Sequence, residues 1–153
     1  MTKNLDCSEE SLRQAIELLF YAYRDFTAEP DAILAESGFG RAHHRVIYFV
    51  GRNPGITVSA LLDILKITKQ SLARVLRQLV DEGYIEQKTG EQDRRQRMLY
   101  LKGKGTRLER LLTEQQGRRI QAAYQQAGAD AIDGFRDILR AIINTEDRGR
   151  IGD

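Results

Sequence analysis

ITKQSLARVLRQLVDEGYIEQKTGEQDRRQRMLYLKGK, residues 67–104, carries the pattern from which the rest of the chain can be read. Leu72, Val75, Leu76, Leu79 and Val80 recur as one apolar stripe, which predicts a helix from Lys69 to about Glu82. Gly83 ends it, as a residue free to adopt positive φ commonly does. Tyr84–Lys88 and Arg97–Leu101 alternate in the manner of two paired strands, with Thr89-Gly90 at the start of the loop between them. An amphipathic helix followed by a hairpin with a basic tip suits binding to duplex DNA, one part for a groove and the other for the flanking backbone.

Charge sharpens this expectation. The whole chain of 153 residues carries a formal net charge of only +2, which by itself favours no partner. Residues 66–104, however, hold ten Lys/Arg against five Asp/Glu, while residues 1–65 hold six against nine and residues 105–153 hold eight of each. Positive charge concentrated in one segment is the electrostatic footprint expected for phosphate.

Outward from the core stretch the pattern is helical. Ser8 caps a first helix whose Leu12, Ile16, Leu19, Phe20 and Tyr23 share a face. Glu29-Pro30-Asp31 is expected to break it, so that it ends near Phe26. Beyond Ser37-Gly38-Phe39-Gly40 a second helix carries RAHHRVIYFVGRN, with Val46, Ile47 and Val50 inward. Thr57 caps a third, VSALLDILK. After the hairpin, Thr106-Arg107-Leu108-Glu109 fits a capping box and predicts a fifth helix starting there, with Leu108, Leu111 and Leu112 on one face. It runs to about Gln125. Gly128 interrupts, and Ala131–Asn144 forms a last amphipathic helix through Ile132, Phe135, Ile138, Leu139 and Ile142. The charged tail after Thr145 is expected to fray.

The predicted fold is therefore all-α with a small two-stranded β-hairpin: a winged helix-turn-helix at residues 38–104, within a single domain spanning 1–153. Apolar helices at 1–30 and 105–150 exceed what one small core requires, and stripes left over in this way most often bury against a second copy of the chain. No apolar run is long enough to span a bilayer. The N-terminus lacks the apolar segment of a signal peptide, so a cytoplasmic location is expected.

On the fourth helix the stripe turns Gln70, Ser71, Arg74, Arg77 and Gln78 outward, and Lys69, Gln70 and Ser71 occupy the first turn. That turn is the part a recognition helix inserts deepest into the major groove. Arg and Gln can read guanine and adenine edges bidentately, while Ser71 and Lys69 suit phosphate or either base. Arg94 and Arg95 at the hairpin tip suit a narrow minor groove, where negative potential is concentrated. Asp93 is expected to orient a neighbouring guanidinium, and Arg97 and Lys102 to add phosphate contacts.

These residues resemble those of the MarR-type transcriptional regulators. The resemblance covers roughly Arg41 to Leu112 and rests on NPGITVSALLDIL, on TKQSLARVLRQLVDEGYI, and on Asp93-Arg94-Arg95 followed by Leu99-Tyr100-Leu101 and Gly105. It implies a homodimer held by N- and C-terminal helices, two winged helices on a pseudo-palindromic operator, usually repression, and a wing arginine (Arg94 or Arg95) entering the minor groove beside the aspartate. Where the family usually has Leu-Thr before the fifth helix, this chain has Leu101-Lys102.

The resemblance also implies release of DNA by a small aromatic or phenolic anion. Tyr21, Tyr23, Arg41, His43 and His44 are the candidate lining, as is Arg45; against this stands the plainer reading that the histidines and tyrosines pack helices or a dimer seam. Tyr21 and Tyr23 lie two apart on a helix and face nearly opposite ways, so at most one can line a given pocket. Cys7, the single cysteine, raises a redox-sensing alternative because it precedes a helix N-terminus. Asp6, Glu9 and Glu10 crowd it with negative charge, and the chain holds no second cysteine to resolve an oxidised one. Enzyme motifs are missing: there is no GxSxG, HExxH, P-loop or dinucleotide fingerprint, and no cofactor is expected. His43 and His44 project about 100° apart on a helix and cannot easily share a metal. A winged helix serving only as a protein-interaction module would need an apolar or acidic outer face on the fourth helix, which Lys69, Gln70, Arg74 and Arg77 contradict.

Overall fold

The structure, a computed structural model, describes residues 4–152. Six helices and a small sheet follow in the order α1 (Glu9–Ala35), α2 (Arg41–Arg52), β1 (Ile56–Thr57), α3 (Val58–Leu65), α4 (Lys69–Asp81), β2 (Ile85–Thr89), β3 (Arg97–Leu101), α5 (Gly103–Ala127) and α6 (Ala129–Ile142), closed by a 3₁₀ turn over Thr145–Arg150. The described residues form two compact units, divided between Gln115 and Gln116. None of the described helices is long and apolar enough to cross a membrane.

The core of the first unit is the one the apolar periodicity predicts. Val46, Ile47 and Val50 from α2 meet Leu61 from α3 and Leu72, Val75, Leu76 and Leu79 from α4, with Ile85 and Leu99 from the strands. Leu34 of α1 and Leu112 of α5 complete it, both fully buried. Each such side chain contributes about 1.5–3 kcal/mol relative to its exposed state.

Four features depart from expectation. The sheet has three strands rather than two, in the order β1-β3-β2, because Ile56 and Thr57 pair antiparallel with Leu99 and Met98. The second correction concerns α1, which runs through Pro30 to Ala35. A helix-interior proline forfeits one backbone bond, but here its ring is fully buried beside Leu34, and the preceding turn is reinforced by Thr27 Oγ1, which donates to the Tyr23 carbonyl at 2.8 Å. Third, α5 starts at Gly103, ahead of Thr106, whose N–H donates to the Lys102 carbonyl within the first turn. The close seat of Gly105 explains this: a Cβ there would clash with the Tyr84 carbonyl and meet Leu101 Cδ2 at 3.4 Å, so the helix begins hard against the sheet. Fourth, the tail is ordered as a 3₁₀ turn. Arg148 donates to the Ala141 carbonyl and Arg140 to that of Gly152, ties that a composition-based expectation of fraying overlooks.

One apolar stripe runs the length of α1 with two fates. Its last third, Thr27, Pro30 and Leu34, is buried, whereas Leu12, Ile16, Leu19, Phe20 and Tyr23 stay exposed, Ile16 at 68% and Phe20 at 62%. In the second unit Phe135, Ile138 and Ile142 of α6 are likewise exposed, Phe135 packing edge-on to Tyr124.

Candidate nucleic-acid interface

Thr68 begins the site. Its hydroxyl oxygen accepts from the Ser71 N–H at 3.1 Å, capping α4, and its proton goes to Ser71 Oγ at 2.9 Å, which orients that hydroxyl at the helix end. A threonine just before the periodic run is the sequence signal for this cap. Lys69, Gln70, Arg74 and Arg77 are exposed, and Ser71 is half-buried. None of those four exposed side chains makes a hydrogen bond or ion pair among the described residues.

Gln78 does not join them. It sits at the edge of the outward face, half-buried, where its Oε1 meets His43 Nε2 of α2 at 2.8 Å. A position on the border of a helical stripe goes to whichever neighbour offers a partner, which periodicity alone does not reveal.

The hairpin tip is built from its own backbone. Gly90 N–H donates to the Gln96 carbonyl at 2.9 Å, and Gln96 N–H donates to that of Asp93 at 3.0 Å. A Cβ on Gly90 would lie 2.7 Å from the Asp93 carbonyl oxygen, so glycine is required for this closure. The Asp93 carboxylate accepts the main-chain N–H of Arg95 at 3.0 Å, rather than the side-chain guanidinium the sequence suggested. A short acidic side chain bonding two residues ahead favours a turn for the same reason it caps helices. Arg94, Arg95 and Arg97 are exposed and have no ion-pair partner among the described residues.

Between α3, α4 and the wing lies an open groove of about 810 Å³. Lys69 and Arg77 line one side and Arg95 and Arg97 the other, with Asp93 beside them. Four cations thus converge from two elements, the nearest in sequence, Arg77 and Arg95, being 18 residues apart. Lys102 is exposed just past β3.

The candidate effector residues divide. Tyr23 accepts a hydrogen bond from Arg45 Nη2 at 2.8 Å, and the Arg41 guanidinium sits 5.6 Å over its ring while its Nε pairs with Asp31 at 3.0 Å. Tyr21 points elsewhere, against Phe20 and Arg24. His43 is committed to Gly40, Phe39 and Gln78. His44 is half-buried, and desolvation holds its imidazole below the usual range, against the opposing pull of Asp31 and Glu109. Tyr23, Arg41 and Arg45 therefore come together, Asp31 links them electrostatically to His44, and Tyr21 and His43 stay apart from them. Cys7 is exposed.

Known proteins share this architecture. Residues 37–96 match the model of the MarR family. The chain is 51% identical over 137 residues to the HTH-type transcriptional regulator PetP of Rhodobacter capsulatus, an alignment covering 90% of this chain and 82% of that protein. In fold it is similar to Streptococcus pneumoniae FabT, solved in complex with DNA (TM-score 0.76, 22% identity, 86% of this chain and 94% of that one). It is also similar to a MarR transcriptional regulator from Methanosarcina mazei Go1 (TM-score 0.68, 24% identity, 89% of each chain). By its sequence relatives and its fold alike, the chain belongs to the MarR family of winged-helix DNA-binding transcriptional regulators.

Proposed function

We propose that the protein is a homodimeric repressor on a pseudo-palindromic operator, with α4 in the major groove and the wing tip in the adjoining minor groove. The observation that carries this reading is the convergence of Lys69 and Arg77 with Arg95 and Arg97 across one groove, with Arg74 and Arg94 exposed on the same two elements and unpaired among the described residues. On this reading Gln70, Arg74 and Arg77 read bases, Lys69, Ser71 and Arg97 grip phosphate, and Arg94 or Arg95 enters the minor groove. Asp93 holds the tip in shape. Residues 38–104 serve as the DNA lobe, and residues 1–30 and 105–150 as the dimerisation region. Members of the family bind DNA, typically as dimers, and FabT was solved on DNA. The exposed apolar half of α1 supports the dimer, since an unpaired stripe of that size is costly to leave in water.

Repression would be relieved by a small aromatic anion held near Tyr23, Arg41 and Arg45. Two guanidiniums against one phenol, with Asp31 neutralising only one of them, leave a net positive site that suits a carboxylate on an aromatic ring. Selection of bound duplexes from a random pool, with and without aromatic acids, tests the whole reading. It should return an inverted repeat whose half-sites lie about 34 Å apart, and enrichment should fall when the effective acid is added. A pool with no enriched repeat would overturn the operator assignment, and enrichment indifferent to every acid would overturn the effector.

A further inference from the structure

The body of α4 is packed through Leu72, Val75, Leu76 and Leu79, an apolar contact that resists separation but, unlike a hydrogen bond, fixes no donor–acceptor line. Roll matters for a helix that reads bases. With side chains a helix has a radius of about 5–6 Å, so a roll of about 10° moves an outward group by about 1 Å, enough to spoil a hydrogen bond of ordinary length. Within Lys69–Asp81, among the described residues, one side-chain hydrogen bond joins α4 to another helix: His43 Nε2 to Gln78 Oε1 at 2.8 Å; beyond its end, Lys104 Nζ of α5 donates to the carbonyl of the C-cap residue Glu82 at 3.1 Å. Gln78 lies one helical turn from Arg74 and two from Ser71, on the same edge of α4.

The imidazole is itself fixed on three sides. Gly40 N–H donates to its Nδ1 at 3.0 Å, so the ring proton resides on Nε2 and points at Gln78 Oε1, an assignment that requires the Gln78 amide to present its oxygen. Phe39, only 5% exposed, stacks on the ring at 4.7 Å with an interplanar angle of 16°. Phe39 in turn meets Tyr84 edge-on at 5.0 Å, just past the end of α4.

We propose that His43 is a positioning residue for DNA recognition, setting the rotation of α4 through Gln78 and thereby the aim of Arg74 and Ser71. This rests on α4 being the helix that enters the major groove.

Isosteric replacements separate the two ring nitrogens. His43→Asn keeps an acceptor near the Nδ1 position for Gly40 but cannot reach Gln78, and Gln78→Met removes the acceptor without touching the Gly40 bond. In the proposed dimer each substitution acts at both half-sites, so each should lower the ratio of operator to random-duplex affinity by about a hundredfold, about tenfold for each misaligned bidentate contact. Random-duplex affinity should hold, and the double variant should be no worse than either single one. His43→Gln, which can still reach Gln78, should keep the ratio even where its thermal midpoint falls. Unchanged ratios in both His43→Asn and Gln78→Met would overturn the proposal, as would losses that track stability across all three variants. Arg74→Ala serves as the reference. Should it lose discrimination while His43→Asn does not, the positioning role alone fails; should it also leave the ratio intact, the placement of α4 fails with it.

Discussion

Replacing Arg94 and Arg95 together with alanine tests the wing by counting charges. Both guanidiniums are exposed and unpaired among the described residues, and the nearby Asp93 carboxylate is occupied by a backbone N–H. Nothing in the free protein therefore has to be given up when they meet DNA, and each should count as a whole charge. In the proposed dimer two per protomer make four, so the slope of log affinity against log salt should flatten by about 3.6. Between about 50 and 200 mM salt, the wild-type advantage should shrink by about 150-fold; if one arginine per wing reaches the duplex, by about 12-fold. Fluorescence anisotropy on a labelled operator across that range gives both numbers. Parallel salt lines for variant and wild type would refute the reasoning, whatever the affinities.

Three further outcomes follow from the geometry. Asp93→Asn keeps an acceptor for the Arg95 N–H while removing a negative charge from the interface, so it should bind the operator at least as tightly as wild type. Asp93→Ala loses the turn bond and should bind more weakly, and equal affinities for the two variants would mean the tip does not depend on that bond. Gly105→Ala should destabilise by about 2–3 kcal/mol despite alanine's better helix propensity, because the new methyl clashes with the Tyr84 carbonyl, which already accepts the Lys102 N–H at 2.9 Å; a urea melt showing a gain would contradict this packing. His44, held below its ordinary 6.5 by burial, binds a proton more readily unfolded than folded. Its contribution is thus complete above about that pH and is lost as pH falls through the lower folded-state value. Urea midpoints should drop on acidification more in wild type than in His44→Gln, and identical profiles would rule His44 out.

Much of the fold was legible because long amphipathic helices announce themselves by period. The α4 stripe predicted four of the core residues and, by exclusion, the outward Gln70, Arg74 and Arg77. β1 could not be read, since two residues show no alternation and Ile56 and Thr57 are a strand only through their partners on β3. Pro30 misled because its local cost is visible in sequence and its compensating burial is not. His43 and Gln78 stand 35 residues apart, and their bond depends on how α2 and α4 cross, information that neither helix contains alone. Asp93 reads in sequence as a residue that orients a guanidinium, whereas its carboxylate accepts the Arg95 main-chain N–H, a bond that follows from the backbone of the turn.

The pairing of β1 with β3 also has a use. Gly55 N–H, in the turn before α3 and at φ +85°, donates to the carbonyl of Leu99 at 2.9 Å, and Leu99 is fully buried in the central strand. A turn amide ordinarily exchanges its hydrogen with solvent quickly, yet this one can do so only when the wing strand lets go. Its exchange rate is accordingly a native reporter on the wing, 39 residues before Arg94 in sequence. Deuterium uptake at Gly55, followed with and without operator, would register wing opening without a label on the hairpin itself.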